Sequence, residues 1–537
     1  MISDRLLGKK DGRLVNALAF LAITLTACSS EEDGDAGASG GTGGSGETGG
    51  SAGAATDECS PVGSTRCEGP LVQTCEDGPD GSRWAEAVPC PDPLEVCRGA
   101  ACAGPTNVQL EQLDSIAAYA DALVNRSAWF EPVDRDALVE QGQLVLLAGS
   151  DDDDSYYRAL RAVHAGVPQG HQTLYPAACG TSKMPFAGKS RFGVCGRPRG
   201  DEIVITYARE GNLLGLSAGD VVESVEAMAG DDLFREMSSR IVCLSSAPSA
   251  AGDRANVATT LFSVLRPDET VRVRSVDGTV KTVVIPSQAD AQATDCQDPL
   301  GRDIGFDAES YVRPDGIAVI RLPRFFPLDP PAYDPNDPDS LQALIDDMTQ
   351  KVLTAFESVK DQPMLIWDAR SNYGGITPVG LAIVGGMPGA KATSLSYCQA
   401  RIANSSPPSY HAFRYAVYAI EPGGPFAYGG KVAVLIDELD YSAADYFPLA
   451  VAAATDALLV GTPTAGAYGG SGPMETLPGA PSVYFTIDGN RCSDASTDEP
   501  LEGRSVQPHR FVEYDPQDLA DGVDTVMEAA VKGLTEM

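Results

Sequence analysis

Four segments near the C-terminal end of this 537-residue chain carry residue types suited to acyl transfer. The first is Asp368-Ala369-Arg370-Ser371-Asn372-Tyr373-Gly374-Gly375, directly after the apolar run Met364 to Trp367. Paired glycines after a strand let backbone N–H groups approach a substrate with no Cβ in the way, which is what an oxyanion hole requires. The same glycines also suit a plain strand-to-helix turn. The second segment runs from Val432 through Asp437-Glu438-Leu439-Asp440-Tyr441 to Ser442-Ala443-Ala444-Asp445, so that Ser442 stands where a helix begins. A nucleophile there gains from the positive end of the helix and from the free N–H of the next residue. Ser442 with Asp445 is also a Ser-x-x-Asp capping box, which needs no catalysis. The third segment, Gly461 to Gly470, is a glycine-rich loop without the Gly-Lys-Ser/Thr ending of a phosphate loop. The fourth is Glu502-Gly503-Arg504-Ser505-Val506-Gln507-Pro508.

A serine nucleophile needs a base, and the chain offers four histidines: His164, His171, His411 and His509. His164 shares an apolar helix face with Tyr157 and Leu160, where packing accounts for it. No cysteine has a plausible histidine partner nearby in sequence, which argues against cysteine chemistry.

The elements that must position these residues follow from periodicity. Gly316 to Leu322, Met364 to Trp367, Val432 to Ile436 and Ala457 to Val460 read as buried strands, with helical stretches such as Leu341 to Val359 between them. This is an α/β pattern. Residues 190–290 read as β-rich, with strands at Ile203 to Tyr207, Val271 to Arg274 and Val280 to Ile285. Residues 105–170 read as helical, including Tyr156 to Val163. Within the β-rich part, Gly215-Leu216-Ser217-Ala218-Gly219-Asp220-Val221-Val222 is similar to the Gly-Leu-x-x-Gly-Asp-x-Ile turn of PDZ domains; a generic β-turn is the alternative.

Together the four segments resemble the tail-specific (C-terminal-processing) serine protease superfamily, which includes the tricorn core protease and the secreted protease-like activity factors. The resemblance covers roughly residues 105–537. Asp-x-Arg-x-Asn-x-Gly-Gly matches the signature after a strand, and Ser442-Ala443-Ala444-Asp445 stands at the nucleophile position. Gly461 to Gly470 matches the Gly-x-x-Thr-x-Gly loop, and Glu502 to Pro508 the glutamate-containing ending. One branch of the superfamily places a lysine base in the glycine-rich loop. Here Ala467 stands there, and no lysine occurs from Tyr441 to Ser505. The other branch takes a histidine from an Asp-Gly-His-Thr segment after a helix. Gln169-Gly170-His171-Gln172-Thr173 stands in that place, with Gln169 for the aspartate and Gln172 inserted before the threonine. The resemblance implies a crotonase-like ββα superhelix core with a PDZ-like β domain, and a triad of Ser442, His171 and Glu502. It implies an oxyanion hole from Ala443 with Gly374 or Gly375, and no metal or organic cofactor. Two other readings stay open: a non-catalytic peptide-binding lipoprotein on the same fold, and a lipid- or retinoid-binding protein.

The N-terminus reads as an export signal. Arg5, Lys9, Lys10 and Arg13 precede the apolar stretch Leu14 to Leu25, which is short for a bilayer span. Leu25-Thr26-Ala27-Cys28 resembles a lipobox, which makes Cys28 the expected lipidation site and the cell envelope the expected location. Residues 28–56 are a polar, glycine-rich tether. Residues 57–104 hold Cys59, Cys67, Cys75, Cys90, Cys97 and Cys102, read as a three-disulfide module in an oxidising compartment; zinc is the weaker alternative, since no Cys-x-x-Cys or histidine is present. Six further cysteines remain for pairing, and Cys179 with Cys195 is expected first because the loop between them is short. The resulting division is 1–27 signal, 28–56 tether, 57–104 disulfide module, 105–189 helical region, 190–290 PDZ-like domain and 291–537 protease core. The formal charge of -36 repels phosphate backbones and disfavours nucleic acid as a partner. Protein or peptide substrates and a membrane are the expected partners.

Overall fold

The computed structural model describes residue 59 and residues 62–68, 71–78, 81–91, 95–98, 100–150, 152–176, 189–241, 247–289, 294–334, 337–414, 416–470 and 472–537. Cys28, the signal and the tether lie outside the described residues, as do Cys179 and Cys243.

The C-terminal half is built on a six-stranded sheet. Its order is Glu309–Val312, Ala318–Arg321, Met364–Asp368, Lys431–Ile436, Leu458–Gly461 and Arg510–Phe511. The first pair is antiparallel and the rest are parallel. Parallel strands need long crossovers, and helices at Pro338–Glu357, Thr377–Gly385 and Ala443–Ala454 lie in them. The sheet is covered on its faces, so Ala318–Arg321 is buried at every position. Trp367, Phe356 and Phe426 meet in the core, Phe356 and Phe426 with ring centroids 5.7 Å apart. Burial of each such ring contributes on the order of 1.5–3 kcal/mol. In open parallel sheets ligands bind beyond the carboxyl ends of the strands. Three of the four sequence segments leave from those ends, after Asp368, Ile436 and Gly461.

The helical region comprises Asn107–Arg126, Arg135–Ala148 and Asp153–Ala165. Thr106 and Gln109 form a capping box on the first helix, and Asp134 and Asp152 cap the others. These helices share one core with Val483 and Phe485 from far along the chain. The chain then enters the strand Thr173–Pro176, which pairs antiparallel with Ala480–Thr486. The helical region is thereby tied into the C-terminal half next to His171.

Residues 194–284 form a five-stranded antiparallel sheet with two helices, Gly230–Arg240 and Ala250–Val264, between its third and fourth strands. Gly219 sits at φ +88, and a Cβ there would lie 2.3 Å from the Pro516 carbonyl oxygen, so the turn accepts only glycine.

The Cys-rich segment carries the bonds Cys59–Cys75, Cys67–Cys97 and Cys90–Cys102. A segment with so little apolar side chain relies on such cross-links instead of a core. The expected Cys179–Cys195 pairing is not formed: Cys195 is bonded to Cys296, 101 residues away. Lys189–Ser190 pairs with Thr294–Asp295, which lays the start of one strand beside a distant linker and brings the two Cα atoms to 5.3 Å. Loop length alone carries no information about that pairing. Cys398 and Cys492 face each other on paired strands and are bonded. Among the described residues no helix is long and apolar enough to cross a membrane.

Candidate active site

Ser442 is the first residue beyond the loop that follows Lys431–Ile436, at the N-cap of Ala443–Ala454. Its backbone has φ 64 and ψ -121, a strained conformation for a residue with a side chain. Its hydroxyl makes no capping bond. Asp445 takes no part in a capping box either; its carboxylate accepts the N–H groups of Gly466 and Ala467, both at 2.8 Å. The geometry thus removes the capping explanation of the Ser-x-x-Asp spacing. Burial pushes the Asp445 carboxyl up to about 8.

The glycine pair lies against the serine. A Cβ on Gly374 would stand 2.4 Å from the Tyr441 carbonyl oxygen, 2.6 Å from Ser442 Cβ and 2.8 Å from Ala443 N. Gly374 and Gly375 have φ +92 and +131. The Gly374 N–H donates to Asn372 Oδ1 at 2.8 Å. Among the described residues, the N–H groups of Gly375 and Ala443 donate to no protein acceptor. They are the two amides of this corner left for a ligand oxygen.

His171 follows Gly170 on the way into Thr173–Pro176 and is 6% exposed. Its backbone is also left-handed, at φ 60. The His171 N–H donates to the Tyr441 hydroxyl, and the imidazole packs on the Tyr441 ring with centroids 4.6 Å apart. Tyr441 immediately precedes Ser442, so the histidine is seated on the Ser442 loop. The Thr486 hydroxyl donates to the His171 carbonyl at 3.1 Å. Burial pushes the His171 imidazole down to about 3, so it is neutral at physiological pH.

Glu502 reaches the same place from the C-terminal segment. Its Oε1 accepts the Gly170 N–H at 2.7 Å, and its Oε2 accepts Tyr468 N–H at 2.9 Å and Gly469 N–H at 3.2 Å. The carboxylate therefore holds the histidine segment and the glycine-rich loop together through backbone amides. Burial pushes it up to about 7. The amides of Gly466 to Gly470 go to three carboxylates, the third being Asp488, which accepts Gly470 N–H at 3.0 Å. Asp488 also bonds the Gln169 side chain. A second carboxylate at position 169 would face Asp488 across the same site, and the amide avoids that repulsion.

The other histidines fall elsewhere. His164 is fully buried, with Nδ1 2.5 Å from the Tyr119 hydroxyl, and is a packed core residue. His509 Nδ1 accepts the Leu459 N–H at 3.0 Å, and His411 is exposed. Sequence reasoning named neither Tyr441, Asp488 nor the buried pair Asp437 and Asp440 as site residues. The available signal was the acidic run Asp437-Glu438-Leu439-Asp440 at the end of an apolar strand, where charge needs a reason.

Residues 316–510 match peptidase family S41. Among curated proteins the sequence finds no match. Among solved structures the chain is similar to mature CPAF complexed with lactacystin, at 15% identity over 80% of this chain and 98% of that one, with a TM-score of 0.56. Mature CPAF alone gives 16% identity over 80% and 97%, with a TM-score of 0.55. The photosystem II D1 C-terminal processing protease also matches, at 15% identity over 80% and 98%, with a TM-score of 0.39. At such identities the two CPAF structures speak for the fold. Residues 316–510 are thus a peptidase family S41 domain, and the chain carries a serine-type peptidase of that family.

Proposed function

We propose that the protein is an exported, lipid-anchored endopeptidase that cleaves other exported proteins through an acyl-enzyme on Ser442. The observation that carries this reading is the strained Ser442, its hydroxyl uncommitted as a cap, with Tyr441 beside it carrying His171. Ser442 Oγ attacks the peptide carbonyl carbon while its proton passes to His171. The carbonyl oxygen becomes an oxyanion held by the N–H groups of Ala443 and Gly375, with Gly374 leaving room for it. As the tetrahedral intermediate collapses, the C–N bond breaks and His171 returns the proton to the leaving amine. Water then adds to the acyl ester by the same route in reverse. Glu502 positions His171 through the Gly170 amide. Burial keeps the His171 imidazole neutral, with one ring nitrogen unprotonated before the serine proton is transferred.

Cys28 anchors the chain to the cell envelope, and the five-stranded domain at 194–284 is PDZ-like and presents substrate termini. The test is cleavage of a pool of unfolded exported proteins by the purified chain lacking residues 1–27, compared with Ser442→Ala. Serine-dependent fragments support the reading; equal fragments from both proteins overturn it.

A further inference from the structure

Two carboxylates at the end of Lys431–Ile436 have no part in the chemistry above, yet Asp437 and Asp440 are 4% and 0% exposed. A buried carboxylate is costly unless hydrogen bonds compensate it. Among the described residues neither makes an ion pair; Asp437 spends its oxygens on two amides and one hydroxyl, and Asp440 on two amides. Asp437 Oδ1 accepts the N–H groups of Ser371 at 2.7 Å and Leu439 at 3.1 Å, and its Oδ2 accepts the Ser371 hydroxyl at 2.6 Å. Asp440 Oδ1 accepts Asn372 N–H at 3.2 Å, and its Oδ2 accepts Asp437 N–H at 3.2 Å. In return Tyr441 N–H donates to the Asn372 carbonyl at 2.9 Å.

The acceptors lie on the loop of Ser442 and Ala443; the donors Ser371 and Asn372 lie on the loop of Gly374 and Gly375. Ser371 is itself left-handed, at φ 59, and needs its neighbours to hold it there. Asn372 continues the tie, accepting Gly374 N–H and donating its Nδ2 to the Leu322 carbonyl at 2.8 Å. The two halves of the oxyanion hole thus come from different strands of the sheet and are joined through this carboxylate pair.

We propose that Asp437 and Asp440 are positioning residues that fix the separation between the Gly375 and Ala443 N–H groups. The inference rests on the reading of Ser442 as nucleophile. An oxyanion hole acts only when both donors are set for the developing charge, so a small widening costs rate and leaves ground-state binding alone. Burial, with Asp437 beside it, pushes the Asp440 carboxyl well above the usual carboxylate range.

The experiment compares steady-state peptide hydrolysis by the wild type, Ser442→Ala, Asp440→Asn and Ser371→Ala, with hydrogen exchange of the 371–376 peptide read on each. Asp440→Asn keeps the shape but turns an N–H₂ group toward an N–H donor. It is expected to lower kcat about 100-fold with KM within about twofold, and to speed exchange of the 371–376 peptide. Ser371→Ala removes the hydroxyl's bond to Asp437 and the one it accepts from Arg197 at 3.3 Å, leaves the backbone amide bonds to the carboxylates in place, and is expected to lower kcat about 5- to 10-fold at constant KM. If a folded Asp440→Asn or Ser371→Ala keeps wild-type kcat and exchange while Ser442→Ala is inactive, the positioning role is overturned and the nucleophile stands. Equal activity of wild type and Ser442→Ala, or none in either, overturns both.

Discussion

Glu502 Oε1 accepts the backbone N–H of Gly170 at 2.7 Å, joining residues 332 positions apart. This bond places a buried carboxylate one residue before the histidine that packs on Tyr441. There is no space for a side chain between them: a Cβ on Gly170 would stand 2.6 Å from Ala467 Cβ and 2.9 Å from Glu502 Oε1. Glu502→Gln turns one carboxylate oxygen into a donor that must face a backbone N–H. We predict a loss of about 100- to 1000-fold in kcat/KM, with the fold retained by circular dichroism. Near-wild-type turnover would show that the carboxylate does not position the site.

The two buried histidines separate chemistry from packing. His171→Ala should abolish turnover as fully as Ser442→Ala, because groups acting as a unit are not additive. His164→Ala removes the bond to Tyr119 and leaves a cavity, so it should lower the unfolding free energy by about 2–4 kcal/mol with turnover preserved in the folded fraction. Denaturant titrations and peptide kinetics on both variants decide this; a stable, inactive His164→Ala would invert the assignment.

Stability should fall as pH rises above neutral. Burial pushes the carboxyls of Glu438, Asp445 and Glu502 up to about 7, about 8 and about 7. Their folded forms hold protons that the unfolded chain has released, so their contribution is complete below the ordinary carboxylate range and is lost as pH climbs through 7 to 8. His171 acts in the opposite sense, its contribution being present above 6.5 and lost as pH falls toward about 3. Between pH 6.5 and 8 only the carboxyl effect remains. Urea unfolding over that window should show a declining free energy, and Glu438→Gln should flatten it. A rising free energy there would contradict the placement of these buried acids.

The strands of the catalytic sheet were legible because buried parallel strands are short continuous apolar runs. Met364–Asp368 and Lys431–Ile436 lie where Met364 to Trp367 and Val432 to Ile436 place them. The glycine motifs were legible because Gly374 and Gly219 occupy backbone positions that exclude a Cβ. Partners distant in sequence were not. Nothing local in Gln169 points to Asp488, and nothing in Cys195 points to Cys296. Ser442 shows the limit most clearly. Its spacing to Asp445 reads as a helix cap, and only the fold reveals that Asp445 turns to the Gly466 and Ala467 amides instead.

The proposed lipid anchor at Cys28 is separable from catalysis. Cys28→Ser should move the protein from the membrane fraction to the soluble fraction of the cell envelope, with peptidase activity per molecule unchanged. Continued partition with membranes after a salt wash would place the anchor elsewhere.

The most direct test of the account is the site of covalent labelling by a fluorophosphonate, which reacts with an activated serine. Mass spectrometry of the digested protein should find the phosphonyl adduct on the peptide containing Ser442. It should be absent in Ser442→Ala, and reduced by at least about 100-fold in rate in His171→Ala. A folded wild-type protein that takes up no label, or labels at another serine, would contradict the assignment of Ser442 as the nucleophile.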